Sequence, residues 1–213
     1  MGYKAIRIDE LTIDDHYFIE EDDKCFYMME YTKGAGNGTP ENSRIHNFKK
    51  SMEYNGSSHW HYKEEAIQSL ARLFRTIYLP MLDLPKWTLI PIPPSKCKAD
   101  PLHDDRMLRL LTLACRSTDC DIRELIITKG SVEASHQSKV RPSVADLQNN
   151  LMLDPELVKG VSHNIILFDD VLTSGAHYRA CKNILLNKFP KANIYAMFIA
   201  RRVLPPADDP FDF

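Results

Sequence analysis

The chain has 213 residues, 44% apolar and 26% charged, with a formal charge of −2. That supports one well-cored domain with an elaborated end, or two small ones, and excludes a disordered chain. The near-zero charge gives no overall pull toward nucleic acid or membrane, no apolar run is long enough to span a bilayer, and the polar start MGYKAIRIDE is no signal peptide, so a cytoplasmic location is expected.

Residues 8–23, IDELTIDDHYFIEEDD, are crowded with acids and read as a solvated face or edge. KCFYMMEYT (24–32) reads as a strand and RIHNFKKSM (44–52) as its partner. The Gly/Asn/Pro-rich KGAGNGTPENS between them then makes the turn of an N-terminal β-hairpin. Lys33, Arg44, Lys49 and Lys50 fall near that turn, either as surface charge or as an anion site. His59-Trp60-His61 has a metal-like spacing that nothing nearby completes, and is read as a helix lead-in.

From about residue 61 helices and strands alternate. YKEEAIQSLARLFRTIYL carries Ala66, Leu70, Leu73, Phe74, Ile77 and Tyr78 on one helical stripe, with acids in its first turn. KWTLIPIP (86–93) is a strand ended by prolines, and DDRMLRLLTLAC (104–115) a second amphipathic helix. DIRELIIT (121–128), HNIILFDD (163–170) and NIYAMFIA (193–200) are further strands. AHYRACKNILLNKF is the helix between the last two, with Ala180, Cys181, Ile184, Leu185 and Phe189 inward. This alternation predicts right-handed crossovers and a mostly parallel α/β sheet covered on both faces. Ligands collect at the carboxyl ends of such strands, where IPIPPSK, IITKG and FDDVLTSG lie. The five cysteines, Cys25, Cys97, Cys115, Cys120 and Cys181, are scattered with no C-x-x-C, against a disulfide framework or a cysteine-rich zinc site. Cys115 and Cys181 read as small core residues.

One loop carries chemistry. After Asp169-Asp170, the residues Val171, Leu172, Thr173, Ser174, Gly175, Ala176 and His177 lead into a helix. Thr173 and Ser174 supply hydroxyls, Gly175 lets the backbone come close or turn left-handed, and successive amides at a helix start form a nest for a phosphate monoester. That phosphate would repel the two carboxylates if they touched it. One sugar away, they accept hydrogen bonds from ribose hydroxyls and hold Mg²⁺ directly or through water.

IILFDDVLTSGAH resembles the PRPP (5-phosphoribosyl 1-diphosphate) motif of type I phosphoribosyltransferases. LIPIPPSKCK is similar to a strand end of their ComF-like branch, named for a competence protein, and SHQSKVRPSVADLQNNLMLDP and IHNFKKSMEYNG are similar to other segments of that branch. The resemblance covers roughly residues 45–203 and divides the chain into an N-terminal acidic and β-hairpin region (1–60), a phosphoribosyltransferase-like core (61–204) and an acidic-aromatic tail (205–213). It implies a glycosyltransferase that binds PRPP, or another ribose 5-phosphate ligand, with Mg²⁺. In that reading Asp169 and Asp170 orient the diol and the metal, residues 171–177 hold the 5-phosphate, and Pro94, Ser95 and Lys96 hold the pyrophosphate. His136 and Arg141 lie where the family has a mobile lid, in a stretch that equally reads as a plain surface loop. His177 and Ser174 stand where the family usually has Thr. The family's Arg-Gly-Phe-Asn-Gln signature is replaced by ADPLHDDRML, and its N-terminal cysteine-rich zinc module is missing. A non-catalytic PRPP- or nucleotide-sensing module, or an accessory or effector protein of a bacterial competence or phage-defence complex, is the alternative. Arg201-Arg202 are either structural cations or face the base pocket. The tail LPPADDPFDF is either a frayed terminus or a docking segment, through Phe211 and Phe213, for a partner protein or a second copy.

Overall fold

The structure, a computed structural model, describes residues 2–34, 38–131 and 142–204. Along the chain come β1 (Ile6–Arg7), β2 (Lys24–Thr32), α1 (Pro40–Phe48), α2 (His61–Ile77), β3 (Trp87–Pro91), α3 (Arg106–Ala114), β4 (Asp121–Ile122), β5 (Ile126–Thr128), α4 (Val144–Asn149), β6 (Leu151–Leu153), β7 (Asn164–Leu172), α5 (Ala176–Lys188) and β8 (Asn193–Val203). Six strands form one sheet in the order β1-β2-β8-β7-β3-β4, with β1 alone antiparallel, and β5 pairs with β6 in a separate antiparallel ladder. The expected mixed α/β architecture with a mostly parallel sheet is the one observed.

The apolar run Ile165–Phe168 is what the centre of such a sheet needs, since both faces of β7 are covered and all four side chains are wholly buried. Strand alternation sends Ile166 and Phe168 into a core with α1, α2 and α3, and Ile165 and Leu167 into a second core with α5, β5 and β6. On α2 the buried stripe is Ala66, Ile67, Leu70, Ala71 and Phe74. Wholly buried side chains such as Leu70 and Phe74 each contribute about 1.5–3 kcal/mol. Cys115 and Cys181 are buried in the two cores as expected. No helix among the described residues is long and apolar enough to cross a membrane.

The N-terminal hairpin does not form. Residues 40–48 are helical: Thr39 caps α1 by accepting from the Asn42 amide at 3.1 Å, Pro40 takes the first turn, and Ile45 and Phe48 bury one face. The side chain of Asn42 answers the backbone of β2 in place of a partner strand, donating to the Thr32 carbonyl at 2.8 Å and accepting from the Thr32 amide at 3.1 Å. β2 itself runs parallel to β8 from Lys24↔Tyr195 to Thr32↔Val203, so it is a strand of the main sheet.

The run DIRELIIT is not one strand either. Asp121–Ile122 pairs with β3, and the chain then leaves the sheet to form β5. The break falls at Arg123, a charged residue inside the apolar run. Its guanidinium pairs with Asp121 and donates to the carbonyls of Leu157, Lys159 and Gly160. Ahead of β6 lies α4, whose start is a reciprocal capping box between Ser143 and Asp146.

Thr39→Ala separates the helix from the hairpin reading. Loss of the cap is expected to cost about 1 kcal/mol in urea unfolding, whereas an exposed threonine in a hairpin turn would be close to neutral.

Candidate functional site

Asp169 and Asp170 lie inside β7, not beyond it, and alternation separates them. Asp170 points to the face of α1 and α3, where Lys49 Nζ approaches one carboxylate oxygen at 3.0 Å and Arg106 donates to the other at 2.6 Å. It also accepts from the Val171 amide at 2.6 Å and is 4% exposed. Burial pushes its carboxyl up, but Lys49 and Arg106 more than offset that and hold it well below the usual carboxylate range.

Asp169 faces the α5 side, close enough to Cys181 for its charge to help raise that thiol. Its carboxylate accepts from the Asp170 amide at 2.7 Å. Burial first, and the Asp170 charge second, raise its pKa to about 7, against weaker opposition from Lys49 and Arg106. The pair therefore splits into one locked anion and one carboxyl poised near neutrality, the pattern in which acceptor groups of functional sites are found.

Arg106 belongs to a longer chain of charges. Its NH1 pairs at 2.6 Å with Asp104, which also accepts from Lys63 Nζ at 2.7 Å. Lys63 has no exposure and donates further to the carbonyls of Phe48 and Lys50, at 3.1 and 2.8 Å. Desolvation lowers the Lys63 pKa, and Asp104 opposes the shift.

After β7 the loop bends through Gly175, at φ +84°, and α5 begins at Ala176 with no side-chain cap among the described residues. Val171 and Leu172 are buried strand residues, Thr173 and His177 are exposed, and Ser174 and Ala176 are half-buried. A segment of the N-terminal acidic region lies against this loop. His16 Nδ1 meets the Thr173 carbonyl at 2.5 Å, and the Phe18 amide donates to the Ser174 carbonyl at 2.8 Å. In planar trans peptides the amide points opposite to its carbonyl, so the N–H groups of Ser174 and Gly175 are turned away from the segment that pins those carbonyls. The loop thus presents these donors on the side away from that segment, at the positive end of a helix.

The acidic region is therefore not merely a solvated face. His16 and Asp23 are buried. Asp23 accepts from Tyr178 at 2.6 Å and Arg179 at 2.6 Å, and pairs with Lys182, all on α5, while Arg179 also holds the Phe18 carbonyl at 2.9 Å. His16 Nε2 is buried without a partner among the described residues, and desolvation lowers the ring's pKa against its bond to Thr173. His177 is exposed, and desolvation by the surrounding protein lowers its pKa against the opposing charge of Asp170.

Pro94, Ser95 and Lys96 leave the same sheet edge, because the Ile92 amide donates to the Phe168 carbonyl beside the acid pair at 2.8 Å. Pro94 and Lys96 border a pocket also lined by Ile92, Cys97, His103, Asp104, Met107 and Ile126. Ser95 is exposed, the Pro94 carbonyl is held by Thr128, and Lys96 approaches Asp100 only loosely, at 3.7 Å. Asp104 joins this pocket to Asp170 through Arg106. His136, Arg141 and the tail 205–213 lie outside the described residues. Arg201 pairs with Asp15 and Glu30 and is a structural cation. His59 and His61 lead into α2 as read.

A magnesium ion does not fit directly on the acid pair as arranged. Both Asp170 oxygens already hold cations, Lys49 and Arg106, and the described residues contain no group of three or more His, Cys, Asp or Glu able to hold a metal.

Lys63, Asp104, Arg106 and His16 were not singled out from the sequence. For two of them a signal was there: Lys63 falls in phase with the apolar stripe of α2, and Arg106 sits in the first turn of a helix, where the dipole disfavours a cation unless an acid answers it. Compared with protein-family models the chain matches none, and a search of curated proteins likewise gives no match.

Two outcomes test this geometry. Gly175→Ala is expected to cost more than the about 1–2 kcal/mol of a left-handed backbone, because the new methyl would lie 2.8 Å from Ile19 Cδ1. Combining it with Ile19→Ala should give less than the sum of the two losses in urea unfolding. The second outcome concerns pH. A carboxyl whose folded pKa is raised contributes stability that is complete below its unfolded value of about 3.9 and is lost as pH rises through about 7. Wild-type stability relative to Asp169→Asn should therefore fall between about pH 4 and 7, a trend that paired denaturation curves measure directly.

Proposed function

We propose that the carboxyl end of β7 binds a phosphorylated ribose, either ribose 5-phosphate or PRPP, as type I phosphoribosyltransferases do. The observation that carries this reading is the pinned loop: the Thr173 and Ser174 carbonyls are held by the 16–18 segment, which turns the Ser174 and Gly175 amides away from that segment at the start of α5. A phosphate monoester there takes those amides and the Thr173 and Ser174 hydroxyls, with the His177 ring as a further donor. The ribose hydroxyls then fall to Asp169, whose carboxylate accepts only the Asp170 amide among the described residues and whose pKa is raised by burial and by the Asp170 charge.

With PRPP bound, the chemistry is displacement at the anomeric carbon. The bond from that carbon to the diphosphate oxygen breaks, the bond to an incoming nucleophile forms, and the nucleophile sheds its proton. The transition state is oxocarbenium-like, so the protein's task is to hold the ribose and to receive a departing anion rather than to supply a covalent nucleophile. Residues 94–96 are placed for the diphosphate, since they leave the sheet next to the acids. A diphosphate carries its own Mg²⁺, so magnesium belongs in this reading to the ligand. A binding-only module that senses the same ligand is the second reading, favoured by the ion pairs that occupy both oxygens of Asp170.

Ribose 5-phosphate, or PRPP with Mg²⁺, should raise the melting temperature, with about 2.7 kcal/mol of stabilisation at a hundred times Kd. Asp169→Asn with Ser174→Ala should remove most of this without unfolding the protein. Because anion binding favours the imidazolium, affinity should rise as pH falls from 7 toward 5.5 by more in wild type than in His177→Thr. No stabilisation by either ligand would overturn the reading. Diphosphate release from PRPP, screened across bases and amines, separates a transferase from a sensor.

A further inference from the structure

The charges on the α1 and α3 face of β7 do not balance. Lys63 and Arg106 are buried cations, and Asp104 and Asp170 are the buried anions that answer them. Two positive and two negative charges cancel, with every carboxylate already touching a guanidinium or an ammonium. Lys49 is the surplus. It sits at the carboxyl end of α1, its backbone amide donating to the Ile45 carbonyl, and its side chain is 45% exposed where Arg106 is 18% and Lys63 not at all. Of the three cations it alone can leave its partner without stranding a buried charge, because Asp170 keeps Arg106 at 2.6 Å.

Lys49 also reaches the start of the loop: the Asp170 oxygen that its ammonium holds at 3.0 Å accepts from the Val171 amide at 2.6 Å. Its charge, opposite in effect to that of Asp170, helps to lower the His177 pKa. A cation that is exposed, in excess, and held on the carboxylate from which the loop starts is placed for an anion. Two other basic residues of the same sequence neighbourhood are committed elsewhere: Lys50 donates to the His59 carbonyl and Arg44 to the Tyr3 hydroxyl.

We propose that Lys49 is a ligand-binding residue of this site, exchanging Asp170 for a phosphate oxygen of the phosphorylated ribose when the ligand enters. The proposal rests on the phosphoribose reading of the loop. It gives the N-terminal part of the chain a direct role, since α1 delivers the cation and β7 stores it on Asp170 until an anion arrives. Asp170 then works as a cradle for Lys49 and Arg106, and Asp169 alone meets the sugar.

The test is calorimetric titration of ribose 5-phosphate into the full chain at low salt, with wild type, Lys49→Gln and Lys49→Arg. Lys49→Gln should weaken binding by about tenfold or more, the conversion of one charge-assisted hydrogen bond. Lys49→Arg should restore most of it, and the apo melting temperatures of the three should stay close. The salt dependence of Kd should be shallower for Lys49→Gln, as one fewer cation faces the phosphate. Wild type and Lys49→Gln binding equally well would overturn the role of Lys49 and leave the phosphoribose reading standing. Wild type failing to bind at all would overturn both. A second readout needs no ligand: NMR titration of His177 should show its pKa higher in Lys49→Gln than in wild type, and an unchanged value would remove Lys49 from the neighbourhood of the loop.

Discussion

Lys63 carries its ammonium to a place with no solvent exposure, and a lone ammonium cannot remain charged there. Its answer is threefold: two carbonyls at the carboxyl end of α1, where the helix dipole is negative, and the carboxylate of Asp104. Asp104 in turn takes Arg106, Arg106 takes Asp170, and Asp170 takes Lys49. One alternating chain thereby fixes the end of α1, the start of α2, the start of α3 and the end of β7. Buried ion pairs add little net stability over well-packed apolar residues, but breaking one strands a partner at about 3–5 kcal/mol. Their effect here is geometric. Four elements that apolar packing alone would leave free to slide are held in one register around Asp170.

A second clasp works on the opposite face. Asp23, wholly buried at its side chain, gathers Tyr178, Arg179 and Lys182 from α5, and burial's upward push on its carboxyl is more than offset by Lys182, Tyr178 and the Glu20 amide. Arg179 extends the grip to the Phe18 carbonyl, which brings the amide of Phe18 and the ring of His16 onto the loop. The loop's conformation is thus imposed from outside it. Gly175 is required twice, by its positive φ and by the contact with Ile19.

Much of the fold was legible because β7, β8, α2, α3 and α5 each carry a period that matches their burial. The acid pair and the loop were legible as chemistry. What failed did so for identifiable reasons. In residues 40–48 the apolar positions are sparse, Ile45 and Phe48 alone, so the glycines and the asparagine outweighed the Thr39-Pro40 start signal that fixes the helix. In DIRELIIT the apolar count concealed Arg123, whose carbonyl contacts lie more than thirty residues away and leave no local trace. The division of labour between Asp169 and Asp170 follows from strand alternation, but only once β7 is known to continue to Leu172. The clasps were invisible for the same reason as Arg123: an acid at position 23 or 104 looks like surface charge until its partners are in place.

The two clasps explain how the two carboxyls can differ so far while adjacent in sequence. Asp170 gains a guanidinium, an ammonium and a backbone amide, so its charge is stabilised in place. Asp169 gains one backbone amide and inherits the repulsion of its neighbour. In a sheet built for stability alone, position 169 would be apolar, like Ile165 and Leu167 before it on the same face. The cost of keeping an acid there is concentrated at the carboxyl edge of the sheet, next to a glycine turn and an uncapped helix start, and the rest of the structure pins that edge from both sides. Strain of this kind is kept where a ligand relieves it. In the proposed reading the relief comes from a ribose hydroxyl, which donates to Asp169 the hydrogen bond that no described side chain supplies.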